Sequence, residues 1–409
     1  MEARCGARRG AGVAVAFALA VLPWFVTAAG DAEGFIYGVV VTNGGASHEG
    51  RLRWADEEAF WGDLFHASKP AEARSHLDSK PADARRGKPI KVFGLTVGFH
   101  SDNDGSRQLV ARFGDLAAIH PRGSDGAKLV LRSGTEYEVE GGSNDLGATI
   151  HVRTANGDEV EIPWRTIDRI ELRPAPPDLA VREHRLHGTV ATRSGTFHGF
   201  IQWDQHEALS SDKLDGEDEG RSVALEMGSI RSIERTPAGS RVTLRAGDVL
   251  ELDGTNDVND ENRGIYVDDD RYGRVLVSWD VFERVDFSEP GPSGAAYGEF
   301  PAGRPLTGRV TTKGGATHTG RIAYDLDESE SWELLDGGDR GIDYSIPMGT
   351  IAAIVPGSRQ ARVVLKSGEE LELGGAADVG EDNDGIAIVA GDGRVAYVPW
   401  SEVARVDFD

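Results

Sequence analysis

The same string of short segments occurs three times along the chain, and any fold must satisfy all three occurrences at once. Each occurrence opens on Gly38-Val-Val-Val-Thr42, Gly188-Thr-Val-Ala-Thr192 or Gly308-Arg-Val-Thr-Thr312. A turn with glycine and a histidine follows, then Gly50-Arg-Leu-Arg-Trp54, Gly199-Phe-Ile-Gln-Trp203 or Gly320-Arg-Ile-Ala-Tyr324. Four residues beyond each closing aromatic stands a glutamate: Glu58, Glu207 and Glu328. The second half carries Phe113-Gly-Asp-Leu-Ala-Ala-Ile119, Met227-Gly-Ser-Ile-Arg-Ser-Ile233 and Met348-Gly-Thr-Ile-Ala-Ala-Ile354. Each copy then runs through a hairpin and an Asp-containing loop to a tryptophan, Trp164, Trp279 or Trp400, and ends in a short strand.

Spacing supports true repetition. From Gly188 to Trp279 is 91 residues and from Gly308 to Trp400 is 92, whereas Gly38 to Trp164 is 126. The first copy therefore carries an insertion, placed at about 63–105, where a polar and charged stretch is punctuated by proline. The predicted organisation is repeat one over 35–172, a linker over 173–184, repeat two over 185–287, a linker over 288–304 and repeat three over 305–409. Apolar and polar residues alternate in Val242-Thr-Leu-Arg and Leu250-Glu-Leu, the period of strands with one buried and one wet face. Glycine-rich turn signals recur every ten or so residues, as in all-β folds. A short helix is expected in the first half of some copies, over 59–65 and around Trp332-Glu-Leu-Leu335.

The predicted fold class is all-β: three tandem repeats, each of two small β-barrel modules. The Gly-x-Val-x-Thr and Val-x-Leu-x-Ser-Gly strings resemble SH3-like and Sm-like small barrels over most of the chain. That resemblance implies the barrel. The RNA binding common among Sm proteins does not come with it, because the chain lacks their full signature and their basic surface.

The first residues read as a signal peptide, 1–29: Arg4, Arg8 and Arg9 precede an apolar run from Gly12 to Val26, and Thr27, Ala28 and Ala29 offer a cleavage site. The expectation is an exported protein, periplasmic or secreted, with no membrane span after signal removal. Cys5 is the sole cysteine and lies in the segment to be removed, which leaves no disulfide, thiol nucleophile or cysteine zinc site. Loss of three Arg and one Glu moves the formal charge from −24 to about −26. Such a surface repels nucleic acid, which needs Lys and Arg to displace its counterions.

Three sets of residues are candidates for chemistry. His48, His198 and His318 recur beside the glutamates Glu58, Glu207 and Glu328, either as a ligand or acid–base pair or as turn residues of the shared fold. The fold reading is favoured, because residues kept in every copy serve what every copy shares. Trp164, Trp279 and Trp400 are read as core anchors that bring large apolar area to a small module, with sugar or peptide stacking as the alternative. The acidic loops offer Asp257, Asn259 and Glu261, and Asp378, Asp382 and Asp384, as oxygen ligands for Ca²⁺. Neither loop follows the EF-hand spacing, and Asp, Asn and Gly are also ordinary turn residues. A further Asp102-Asn-Asp-Gly105 lies in the insertion.

No nucleophile elbow, phosphate loop, zinc-protease helix or dinucleotide fingerprint is present. The expected function is a non-catalytic binding or scaffolding protein, without a cofactor, that engages a protein or glycan of the cell envelope. The alternatives are a calcium-binding or calcium-stabilised module, and a hydrolase built on the first copy's insertion beside Phe60, Trp61 and Phe65.

Overall fold

The glycines that open the paired strands are fixed by how closely backbones approach there. A Cβ on Gly38, Gly188 or Gly308 would meet a carbonyl oxygen of the chain's closing strand at 2.4, 2.3 or 2.0 Å. A Cβ on Gly50, Gly199 or Gly320 would meet the strand on the other side at 2.3, 1.9 or 2.1 Å. Only a residue without a side chain lets three strands lie together at these points.

The structure is a computed structural model that describes residues 32–69, 89–92, 95–99, 107–141 and 145–409. The predicted signal segment, Asp102–Gly105 and most of the insertion lie outside the described residues. The described chain is all-β and antiparallel, in sheets of ten, ten and eight strands and two isolated hairpins.

The large sheets share one order of eight strands. In the second sheet it runs Val249–Leu252, Ser240–Leu244, Ile230–Arg235, Phe282–Phe287, His187–Thr192, Gly195–Gln202, Ile265–Asp269, Gly273–Val277. The third sheet runs Glu370–Leu373, Ala361–Leu365, Ile351–Pro356, Val403–Phe408, Thr307–Thr312, Thr317–Ala323, Ile386–Val389, Val395–Val398. The first follows the same path from Glu136–Glu140 through Tyr37–Thr42 and Ser47–Trp54 to Glu159–Pro163. In each sheet the opening strand pairs with the closing one until a register shift, at Val41/Thr42, Ala191/Thr192 and Thr311/Thr312.

The sheets differ in what extends them. Leu64–Lys69 and Arg107–Arg112 lengthen the first sheet beyond Glu136–Glu140. The second sheet is lengthened from outside: Ile342–Pro347, which lies between strands of the third sheet in sequence, pairs with Gly273–Val277. The corresponding hairpin of the second copy, Lys213–Asp218 with Arg221–Glu226, stands as its own two-stranded sheet.

Two expectations are corrected. No sheet among the described residues closes into a barrel. The short helices are also absent from the described residues. Phe60 bridges Phe35, and strands begin at Leu64 and Leu334. The N–H groups of Ala59 and Phe60 donate to Asp63 Oδ2, both at 2.9 Å. Asp212 receives Ala208 and Leu209 in the same way, and Glu333 receives Ser329 and Glu330. Each carboxylate closes a turn, and the chain runs from it straight into a strand at Leu64, Lys213 and Leu334. Among the described residues, helical structure is limited to three-residue 3₁₀ turns such as Met227–Ser229 and Met348–Thr350. No helix among the described residues is long and apolar enough to cross a membrane.

The core follows the strand alternation. His187–Thr192 buries every second residue, and its Val190 is fully enclosed. One apolar cluster joins the second and third sheets, and another gathers the first sheet with Tyr297, Phe300 and Trp332. The segment before the third sheet is laid on the first: Tyr297 stacks on Trp61 with ring centroids 4.4 Å apart, and its hydroxyl donates to the Leu116 carbonyl at 2.7 Å. Arg132 Nη1 donates to the carbonyls of Tyr297 and Phe300 at 2.6 and 2.8 Å. Phe60, Trp61 and Phe65 are thus core residues, each fully buried.

Candidate functional site

The aromatic that closes the second strand and the glutamate four residues on are locked together by backbone. The N–H of Trp54, Trp203 and Tyr324 donates to the carbonyl of Glu58, Glu207 and Glu328, each at 2.8 Å. The turn between them needs left-handed residues without being glycine. Asp204 and Gln205 sit at φ 48° and 59°, Asp325 and Leu326 at 46° and 54°, and Ala55 at 48°. Such positions cost about 1–2 kcal/mol each, so the remaining contacts of the turn must hold it in place.

Those contacts come from the acidic loop. Trp54 Nε1 donates to the Asp145 carbonyl and Trp203 Nε1 to the Asp257 carbonyl, both at 2.8 Å, and the Tyr324 hydroxyl donates to the Asp378 carbonyl at 2.6 Å. The side chains of these aspartates accept N–H groups from the next hairpin: His66 at 2.6 Å, Asp215 at 2.7 Å and Asp336 at 2.7 Å. Trp203→Phe removes the indole donor and leaves the Asp257 carbonyl without it. The expected loss is about 1–3 kcal/mol, read as a lower denaturant midpoint; an unchanged midpoint would mean that this bond does not hold the loop.

Each glutamate is then left facing acid. The Oε2 atoms of Glu58, Glu207 and Glu328 are shut off from solvent and have no hydrogen-bond partner. Glu58 and Glu207 are 7 % exposed as whole residues. Burial, reinforced by the charges of Asp145, Asp63 and Glu57, pushes the Glu58 carboxyl up to about 9. Burial also raises Glu207, where a hydrogen bond from His206 opposes it and Asp257 and Asp204 add to it. Glu328 is raised well above the usual carboxylate range by burial and then by Asp378. A carboxyl in this setting either keeps its proton or shares its charge with a cation.

The second sheet carries the densest cluster. Ligand oxygens of Asp204, Glu207 and Asp257, all buried, lie within 4.8 Å of one another. Asp204 also accepts the Arg263 N–H at 2.5 Å, pairs with Arg263 Nη2 at 3.0 Å and accepts Asn256 Nδ2 at 2.5 Å. His206 Nδ1 lies 3.1 Å from Glu207 Oε1.

Of the residues singled out in the sequence, Asp257 and Glu207 meet here. Asn259 and Glu261 do not join them: Asn259 Oδ1 accepts the Glu261 N–H at 2.8 Å in a local turn, and Glu261 is exposed. Asp382 and Asp384 are exposed, while the Asp384 N–H donates to Asp325. Among the described residues no hydrogen bond or ion pair joins His48, His198 or His318 to Glu58, Glu207 or Glu328. His48 pairs across the strands with Val40 and His318 with Val310, but the shorter turn of the second sheet puts Phe197 opposite Val190 and turns His198 to the other face. There His198 Nδ1 lies 3.0 Å from Thr189 Oγ1.

Trp164, Trp279 and Trp400 are buried, each against its sheet's strand-closing aromatic: Trp54–Trp164 at 6.0 Å, Trp203–Trp279 at 6.1 Å and Tyr324–Trp400 at 5.8 Å between centroids. Sequence reasoning missed Asp204. Its signal was an aspartate directly after the strand aromatic, repeated at Asp325 and replaced by Ala55 in the first copy.

A cleft of about 550 Å³ opens beside Asp336, Tyr344, Arg359 and Gln360, and none of the three glutamates borders it.

No family model matches the chain, and no curated protein matches it in sequence. Two solved structures show a distant likeness. Virginiamycin B lyase from Staphylococcus aureus is 10 % identical over 70 % of this chain and 85 % of its own, with a TM-score of 0.12. A streptogramin B lyase is 11 % identical over 72 % of this chain and 94 % of its own, with a TM-score of 0.11. Scores this low assign neither a fold nor an activity.

Proposed function

We propose that the chain is a non-catalytic, exported scaffolding protein of three tandem modules that binds extended strands of cell-envelope proteins along its open sheet edges. The modular reading is supported by the eight-strand order common to the three large sheets and by the equivalent aromatic–glutamate–aspartate contacts in each. The observation that carries the binding mode is the pairing of Ile342–Pro347 with Gly273–Val277, in the register Val275↔Tyr344 and Val277↔Ile342. It is an edge capture made within the chain itself, the same chemistry by which sheet edges bind peptides: main-chain hydrogen bonds give affinity and alternate side chains give selectivity.

The matching edges of the other sheets, Glu159–Pro163 and Val395–Val398, end their sheets. Open edges invite pairing, and a strongly acidic surface favours neutral or basic strands over nucleic acid.

A fluorescent peptide with the sequence of residues 341–348 tests this reading. The expected result is saturable binding that is reduced in Val395→Pro, since the Val395 N–H faces away from the neighbouring strand and proline there removes an outward donor and blocks that edge. A peptide that shows no saturable binding, or equal binding to the proline variant, would remove the edge as the site.

A further inference from the structure

We infer that Asp204, Glu207 and Asp257 form a binding site for one divalent cation of the size of calcium. The inference is independent of edge binding and concerns a different part of the second sheet.

Three features support it. The first is distance. Three oxygens no more than 4.8 Å apart lie within about 2.8 Å of a common point, the side divided by √3. Calcium bonds oxygen at about 2.3–2.6 Å and magnesium at about 2.0–2.1 Å in a stricter octahedron. A shift of a few tenths of an ångström brings all three oxygens to calcium's bonding distance, whereas magnesium requires a larger collapse around a rigid turn.

The second is the glutamate itself. Glu207 is 7 % exposed, and its Oε2 has no hydrogen-bond partner. Its carboxylate stands next to two others, which themselves have donors: Asp257 has the Asp215 N–H, and Asp204 has Asn256 and Arg263. A buried oxygen without a donor forfeits its hydration with no return, and a cation at the common point supplies what is missing.

The third is charge. With the His206 imidazole neutral, three carboxylates against the one guanidinium of Arg263 leave two negative charges, which a divalent ion neutralises. His206 lies on Oε1 and leaves Oε2 free for the ion. The first copy has Ala55 where Asp204 stands and lacks the third oxygen. The ligands differ from those that the loop spacing suggests, because two of them, Asp204 and Glu207, come from the tight turn and only Asp257 from the acidic loop.

Trp203 supplies the readout, since its indole donates to the carbonyl of the ligand Asp257. Terbium, a calcium-sized probe, is titrated into the chelator-treated protein at physiological salt with excitation at the tryptophan band. The expected result is saturable sensitised emission from one site, displaced by calcium at concentrations at least ten-fold below those needed of magnesium. Glu207→Gln should weaken terbium at least ten-fold, while Glu261→Gln in the exposed part of the loop should leave it unchanged. Asp257→Asn, which keeps an oxygen for the Asp215 N–H, gives the same loss by an independent route. Emission that never saturates, or that persists in both the Gln and Asn variants at wild-type affinity, overturns the site. Calcium should also raise the thermal midpoint of the wild type and not that of Glu207→Gln, as expected of a ligand that binds the native state.

Discussion

Asp63→Ala is expected to lower the unfolding free energy by about 3–5 kcal/mol, the cost of breaking a buried ion pair from one side. Asp63 is 1 % exposed and stands where the first and second sheets meet. Its Oδ1 accepts Arg185 Nη2 and Arg274 Nη2, each at 3.0 Å, and its Oδ2 accepts the two backbone N–H groups of Ala59 and Phe60. Arg185 is held between the rings of Phe60 and Phe200, 4.3 Å from each centroid, and Asp268 closes the network at 2.6 Å from Arg185 and 2.8 Å from Arg274. Removing Asp63 leaves two buried guanidiniums sharing one carboxylate. Asp63→Asn keeps the shape and one acceptor and should cost less. Urea midpoints of both variants measure the effect, and an alanine variant within about 1 kcal/mol of wild type would show that the network does not tie the sheets. Because a rigid edge binds with less ordering cost than a mobile one, the same variant should weaken the peptide capture proposed for the sheet edges.

The all-β character of the chain was legible in the sequence. The strands could be read because alternation and glycine carry local physics: each opening glycine marks a backbone approach that a Cβ would block. The glutamates and the closing tryptophans could be read because they recur at fixed spacing. Other features depended on long-range pairing. Nothing local distinguishes Ile342–Pro347, which joins another sheet, from Arg221–Glu226, which does not. The aromatic residues around Phe60 and Trp332 have helical spacing, yet each segment closes a turn on the carboxylate of Asp63 or Glu333 and passes directly into a strand at Leu64 or Leu334. Closure of a barrel depends on how edges meet, which short glycine-and-aliphatic strings do not encode. The acidic cluster was half visible. Asp257 stood out in a loop rich in acid, but Asp204 was hidden as a single turn residue whose importance comes from its left-handed backbone and buried side chain.

The buried glutamates also set a direction for stability against pH, and Glu58 sets it most clearly. Its carboxyl is pushed up to about 9 by burial and by the charges of Asp145, Asp63 and Glu57. The folded chain therefore holds a proton that the unfolded chain releases near the ordinary glutamate value of about 4.3. Stability from this group is complete below that value and is lost as pH rises towards about 9, at up to about 1.4 kcal/mol per pH unit. Between pH 5.5 and 8.5 the urea midpoint measured in chelator should fall steadily, with Glu328, raised by burial and Asp378, adding to the slope. Glu58→Gln supplies a neutral side chain of the same shape. It should flatten the slope by close to one proton and should be more stable than wild type at pH 8.5 by a few kcal/mol, on the order of the shift integrated over that range. The effect has a bearing on the ion network as well, because Asp63 contributes to raising Glu58, so Asp63→Ala should lose part of the pH slope together with its stability. Parallel pH profiles for wild type and Glu58→Gln would mean that Glu58 is ionised in the folded protein, and that the enclosed oxygen is compensated in some other way.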